Sequence, residues 1–215
     1  MKLIKKSIAL VATTLLFASA YSQSFEGMIE FRKMTDSDTM TYVYYIKGDK
    51  VRVDEIGASY EKQEGSYIID LKALTVIAVS NERKMYFDQP PSKTPAILKC
   101  KPEPVKTANK KTIHGYECIE YTVKCTEENT MVTYWLASGK FDFFERMLKL
   151  LNRKDKSAIY FQKITGVAGM FPFVSVEATI AGGQEKVRME VIKIEKKKID
   201  NAKFEIPAGF KKGEN

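Results

Sequence analysis

Residues 112–137 read T-I-H-G-Y-E-C-I-E-Y-T-V-K-C-T-E-E-N-T-M-V-T-Y-W-L-A and hold the chain's one Trp, one His and two of its three Cys. β-branched and aromatic residues recur on both sides of Glu127-Glu128-Asn129, a composition that suits a pleated, half-buried surface. The stretch therefore predicts two long antiparallel strands joined at that acidic turn. Trp135, at the far end, reads as a core residue whose indole N–H needs a partner if buried.

The residues before this hairpin repeat the pattern in shorter pieces. Ser24–Met34 alternates, with Phe25, Ile29 and Phe31 facing one way and Glu26, Glu30 and Arg32 the other. Met40–Lys47 and Val51–Ile56 form a hairpin across Gly48-Asp49. Ser66–Leu71, Thr75–Val79 and Lys84–Phe87 follow at the spacing of an up-and-down antiparallel sheet. From Asp88 to Pro104 five prolines remove ladder donors, which predicts an edge or crossing segment within one domain spanning 24–215.

After the hairpin the period changes. Over Phe141–Asn152, Asp142, Glu145, Arg146, Lys149 and Asn152 share one helical face, while Phe141, Phe144, Met147, Leu148 and Leu151 share the other. Asp142 with Glu145 resembles a capping box with Asp142 at the cap. This is the one helix expected, and its apolar side needs the sheet to cover. Ala158–Ile164 reads as a short strand and Gly166–Phe173 as an apolar, Gly-hinged loop. Val174–Ile180 and Lys186–Ile194 form a last hairpin, and Phe204, Ile206 and Phe210 anchor the tail.

The first residues assign a compartment. Lys2, Lys5 and Lys6 precede an apolar run from Ile8 to Ala20 that ends in small residues, the pattern of a secretory signal peptide over 1–23. The run falls short of the roughly 18 to 20 residues that span a bilayer, so no transmembrane segment is expected after cleavage. The net charge of +8 drops to +5 once the three lysines of that segment are removed. The remaining Lys doublets and triplets describe a solvated surface. They lack the clustered Arg and interleaved aromatics of nucleic-acid binding.

Three Cys in an exported chain leave one over. Cys118 and Cys125 lie about 23 Å apart along a strand, beyond bonding reach, and their odd separation points them to opposite faces. Cys100–Cys125 is the favoured pairing, with Cys118 buried and free; three reduced, buried thiols are the alternative. Without a C-x-x-C pair and with a single His, no metal site or cofactor is expected. His114 beside Gly115 reads as a turn residue, and no nucleophile-elbow, zincin or dinucleotide fingerprint is present, so no catalytic group is assigned.

Four segments, Y-I-K-G-D-K-V-R-V-D (Tyr45–Asp54), K-T-I-H-G-Y-E-C (Lys111–Cys118), G-M-F-P-F (Gly169–Phe173) and D-N-A-K-F-E-I-P-A-G-F (Asp200–Phe210), occur in this order. Together they resemble an uncharacterised "domain of unknown function" family of exported Gram-negative proteins, similar to the LolA/LolB lipoprotein-carrier superfamily. The resemblance implies a mainly β fold: a strongly curved antiparallel sheet, or half-barrel, with the amphipathic helix on its concave side. Carriers of that shape hold acyl chains between sheet and helices, whereas this sequence offers one helix where they place several.

The function expected is therefore non-enzymatic binding of a hydrophobic ligand, such as an acyl chain or lipid, in the periplasm. Phe141, Phe144, Met147, Leu148 and Leu151 would line the site, with Met170, Phe171 and Phe173 at its mouth. The alternative is an envelope module that binds a protein partner through an open sheet edge and takes no lipid.

Overall fold

The computed structural model describes residues 24–57, 63–90, 94 and 97–214; the expected leader, 1–23, lies outside the described residues. The alternating segments form twelve strands: β1 (Gly27–Thr35), β2 (Thr39–Lys47), β3 (Lys50–Ile56), β4 (Gln63–Asp70), β5 (Thr75–Ser80), β6 (Met85–Asp88), β7 (Glu103–Ile113), β8 (Tyr116–Cys125), β9 (Thr130–Ser138), β10 (Met170–Thr179), β11 (Glu185–Lys196) and β12 (Lys211–Lys212). Two helices, α1 (Asp142–Leu151) and α2 (Lys156–Phe161), interrupt them between β9 and β10.

All twelve strands belong to one sheet, in the order β12-β6-β5-β4-β3-β2-β1-β11-β10-β9-β8-β7. It is curved and open, and mainly β as the resemblance implied. Two meanders, β1–β6 and β7–β11, meet where β1 pairs antiparallel with β11. The seam is tight: a Cβ on Gly27 would come within 2.0 Å of the Glu195 carbonyl oxygen. The central hairpin pairs Cys118 with Ala137 and Cys125 with Thr130, around the predicted acidic turn.

Strand parity sorts the side chains. Ile29 and Phe31 of β1, Tyr44 and Ile46 of β2, Val51 and Val53 of β3, and Tyr134 and Leu136 of β9 point into the main core. The helices cover that concave side. α1 buries Phe143, Phe144, Met147, Leu148 and Leu150, and α2 buries Ala158, Ile159, Tyr160 and Phe161. Arg146 fixes α1 to the sheet, its Nη1 at 2.6 Å from Asp49 Oδ1 and its Nη2 donating to the Leu71 carbonyl at 3.1 Å.

Several expectations are corrected here. Ala158–Ile164 is not a strand: Asp155 accepts from the Ala158 N–H at 3.0 Å, and this side-chain cap starts α2 instead. The described residues thus hold two α-helices, not one. α1 begins after Phe141 with no side-chain cap, so Asp142 is its first residue and no capping box forms. Met170–Phe173 opens β10 and is not a loop. The register of β7 against β8 shifts between Lys106 and Lys110, and the chain turns at His114-Gly115, both with positive φ. Trp135 is only half-buried, with Lys111 Nζ 3.9 Å from its ring centroid.

The convex face of the first meander is covered by the tail. Ile199 and Phe204 pack on Ile68 and Val79, joined by Ile206 and Phe210. Beneath the tail lies a buried polar network. Arg52 Nε donates to Asp54 Oδ1 at 2.5 Å, Nη2 to the Ser66 hydroxyl at 2.9 Å and Nη1 to the Lys203 carbonyl at 3.2 Å. Lys203 in turn places its ammonium 4.3 Å from the Tyr45 ring centroid. The first and last of the four sequence segments are therefore one contact in space.

Removing one member of a buried ion pair leaves the other charge unpaired, at about 3–5 kcal/mol, whereas replacing both with apolar groups is close to neutral. Asp54→Ala should lower unfolding stability by about that amount in urea denaturation, and Arg52→Met with Asp54→Leu should recover most of it. Equal loss in the single and double variants would show that the charges, rather than their pairing, are needed.

Candidate functional site

Where α1 and α2 meet the sheet, the packing leaves an aromatic slot. Its closed part has a volume of about 50 Å³, bounded by Phe31, Tyr44, Phe144, Leu148, Phe161 and Met189. A smaller space of about 20 Å³ adjoins it through Phe31, Tyr44, Phe144 and Met189, with Phe171 on its wall. On the other side an open groove of about 280 Å³ shares Tyr44 and Arg153 with the closed part and continues past Val53, Tyr67, Gln89 and Leu151. Tyr44 borders all three spaces, and Arg153 stands between the closed part and the groove.

The eight residues expected to bind a ligand separate into three groups. Phe144 and Leu148 line the closed part, Phe144 and Phe171 the small space, and Leu151 the outer groove. Phe141, Met147 and Phe173 are fully buried and fill the core around the slot. Met170 is half-buried at the start of β10. Phe171 is the hub of the ring packing: Phe144 stands edge-on to it at 4.7 Å, Phe141 lies at 5.5 Å and Phe143 at 6.0 Å. Tyr116 reaches Phe173 at 5.0 Å, so the second and third sequence segments also meet.

Sequence reading missed the sheet's contribution. Phe31, Tyr42, Tyr44 and Met189 were legible as strand residues, but which strands lie opposite the helices depends on the β1–β11 seam, which no local pattern announces. Arg153 and Asp155 were missed with the α1–α2 turn. Asn152 ends α1 in a left-handed conformation, and Arg153 Nε then donates to Asp155 Oδ2 at 2.8 Å. Burial pushes the Tyr44 phenol above its ordinary range, so it stays protonated at neutral pH.

The segment between β6 and β7 links the strand beside the β12 edge with the strand at the other edge of the sheet. Thr94 accepts from Asn152 Nδ2 at 3.0 Å in the α1–α2 turn. Lys99 N–H donates to Glu128 Oε1 at 3.0 Å, and Glu128 also takes Lys156 and the Tyr160 hydroxyl, tying this segment to α2. The Lys156 hydrogen bond first, then the Lys99 amide, hold the Glu128 carboxyl below the ordinary carboxylate range. That tie is complete above the ordinary carboxylate pKa and is lost as pH falls through the lowered value.

Cys100 and Cys125 are joined as a disulfide with Cα atoms 5.9 Å apart, and Cys118 is a free, buried thiol. Glu127 lies near the two bonded sulfurs, which are committed to each other. His114 Nε2 lies 2.8 Å from the Val191 carbonyl oxygen, in a turn.

A family described as "Domain of unknown function (DUF4412)" matches residues 25–210. The chain belongs to the DUF4412 family. None of the curated proteins matches this DUF4412 chain in sequence. Among solved structures it is similar to an uncharacterized conserved protein from Thermus thermophilus, at a TM-score of 0.55 and 8% identity, covering 88% of this chain and 90% of that one. That likeness is one of fold alone. A LolA superfamily protein from Nitrosomonas europaea (TM-score 0.36, 9% identity, 85% and 90% covered) is also a neighbour. So is a DUF1329 family protein from Desulfovibrio piger (TM-score 0.37, 10% identity, 85% and 90% covered). Those two scores are too low to carry an argument about function. The family resemblance read from the four segments stands.

The bond between Cys100 and Cys125 closes a 25-residue separation, which chain entropy values at about 3 kcal/mol. Reductant should lower the urea midpoint by an equivalent amount, and the Cys125→Ala variant should no longer respond to it. Burial pushes the Cys118 thiol up to about 11, outweighing the Ile113 backbone hydrogen bond and the Lys111 charge. It should therefore stay unlabelled by maleimide at pH 8 until urea unfolds the chain; rapid labelling of the folded protein would refute this.

Proposed function

We propose that this DUF4412 protein is a non-enzymatic, periplasmic binder of a hydrophobic ligand, an acyl chain or lipid, held between the concave face of the sheet and helices α1 and α2. The observation that carries the reading is the slot itself. Aromatic side chains from β1, β2 and β10 face two helices without filling the space between them, and the gap continues into an outer groove. Concave, mostly apolar spaces with a few convergent polar groups are where proteins take small ligands.

Size narrows the ligand. At roughly 10–15 Å³ per water-sized group, the closed part of about 50 Å³ takes about four such groups, and the groove takes the rest of one chain. The reading is thus a single chain, with Phe144, Leu148 and Leu151 touching it and Phe141, Met147 and Phe173 acting as scaffold. Export rests on the basic and apolar pattern of residues 1–23. Among the described residues no helix is long and apolar enough to cross a membrane.

A second reading has its own observation. β7 is an eleven-residue strand at the sheet's edge, exposed along nearly its whole length, and exposed edges are templates for strand addition. Its irregular register and its lysines Lys106, Lys110 and Lys111 are also the devices that block such addition.

Native mass spectrometry of the protein purified from a periplasm without detergent separates the two readings. The expected result is a reproducible extra mass that organic extraction removes and identifies as lipid. Met189→Trp, which fills the slot from β11, should abolish that mass while leaving the far-ultraviolet circular dichroism spectrum unchanged. A clean apo mass, with no uptake of added fatty acid or phospholipid, would discard the ligand reading and leave the β7 edge.

A further inference from the structure

The slot is apolar in its walls but not in its hydrogen-bonding capacity. The hydroxyls of Tyr44 and Ser175, on residues 7% and 3% exposed, both border the closed part; neither has a hydrogen-bond partner among the described residues, and both oxygens stay accessible from the cavity. A ligand that covers them without offering an acceptor would bury two unpaired donors. Two available hydroxyls on one cavity offer a ligand a place for a polar group.

Two cations, Lys33 and Arg153, and one carboxylate, Asp155, border the closed part; Glu190 borders the smaller space and Glu55 the groove. Lys33 borders the closed part and has no ion-pair partner among the described residues. Arg153 uses its Nε on Asp155 and leaves its two terminal nitrogens uncommitted at the boundary between the closed part and the groove. Asp155 is consumed twice, by Arg153 and by the Ala158 N–H that caps α2. Glu55, on the groove, is already engaged. Asp155 therefore positions the guanidinium without satisfying it, and each uncommitted group on the cavity can donate.

We infer that this boundary is a head-group site: the protein takes a single-chain amphiphile by its anionic head, a carboxylate or a phosphate. Arg153 and the hydroxyls of Tyr44 and Ser175 donate to the head, and Lys33 adds charge. The chain lies against the aromatic wall formed by Phe31, Phe144 and Phe161. Arg suits this role because its planar fork offers paired N–H donors to either oxyanion. A neutral chain would leave the hydroxyls unpaired, which is the penalty by which a polar site rejects a ligand lacking the matching group. The inference rests on the ligand reading proposed above, and adds to it the chemistry of the ligand's end.

The test is calorimetric titration of the full protein with three chain-matched probes: decanoate, decyl phosphate and decanol. At least one anion should bind tenfold or more tightly than decanol, and which anion wins distinguishes a carboxylate from a phosphate head. Arg153→Gln should remove the anion's advantage over decanol, measured as the ratio of the two affinities in the same variant. Tyr44→Phe with Ser175→Ala should reduce the anion's advantage several-fold, and added salt should weaken the anion alone. Equal binding of all three probes, or a preference that survives Arg153→Gln, would overturn the head-group site and leave the hydrophobic-ligand reading standing. If no probe binds, the ligand reading fails and the head-group site with it.

Discussion

The pairing of β1 with β11 is the constraint on which everything else in this molecule depends. It joins the first described strand to the last long one and fuses two local meanders into a single sheet. Without it, β1–β6 and β7–β11 would each be a small sheet with one apolar face and little to lay on it. With it, the two inner faces become one concave surface large enough to need two helices. The seam also fixes which strands lie under those helices: β1, β2, β10 and β11 form the floor of the slot because they flank the seam. Such a pairing has high sequence separation, so loop-closure entropy opposes it until the apolar faces are buried together.

One open sheet has two faces, and the chain covers them differently. The convex face of the first meander is closed by the tail, whose Lys203 carbonyl completes the donor set of Arg52 above a buried Asp54. The concave face is closed by α1, α2 and a ring cluster centred on Phe171. The segment between β6 and β7 joins the strand next to the β12 edge to the strand at the opposite edge, held by Glu128 near α2 and by the Cys100–Cys125 bond at the end of β8.

Much of this was legible in the sequence, and what was not has identifiable causes. Strands announced by alternation, from Phe25 through Phe87 and across the central hairpin, lie where the pattern puts them. α2 was misread because S-A-I-Y-F-Q-K-I is β-branched and aromatic, which local preference assigns to a strand; the overriding signal was Asp155 three residues ahead of Ala158, a cap with no partner acid to make it conspicuous. Phe143 and Leu150 are buried although simple face counting left them out, because α1 is covered on more than one side. Within the site, the helix contribution could be read from Phe144, Leu148 and Leu151. The sheet contribution could not, since Tyr44 and Ser175 come together only through ladders between distant strands.

The two faces also treat buried polar groups in opposite ways, and this bears on function more than the amount of apolar surface does. On the convex face, Arg52 reaches Asp54, Ser66 and Lys203, so the network is complete and its role is to fasten the tail. On the concave face, Tyr44 and Ser175 hold hydroxyls that no described residue satisfies, beside a guanidinium positioned but not saturated by Asp155. Thr41 is different again: its hydroxyl is the one buried side-chain polar group without a partner among the described residues, yet it borders none of these spaces, and nothing in the structure accounts for it. An isolated orphan such as Thr41 is a local cost of packing. Hydroxyls that open onto one cavity beside uncommitted cations instead give that cavity donors for a ligand, which an isolated orphan in the packing cannot do.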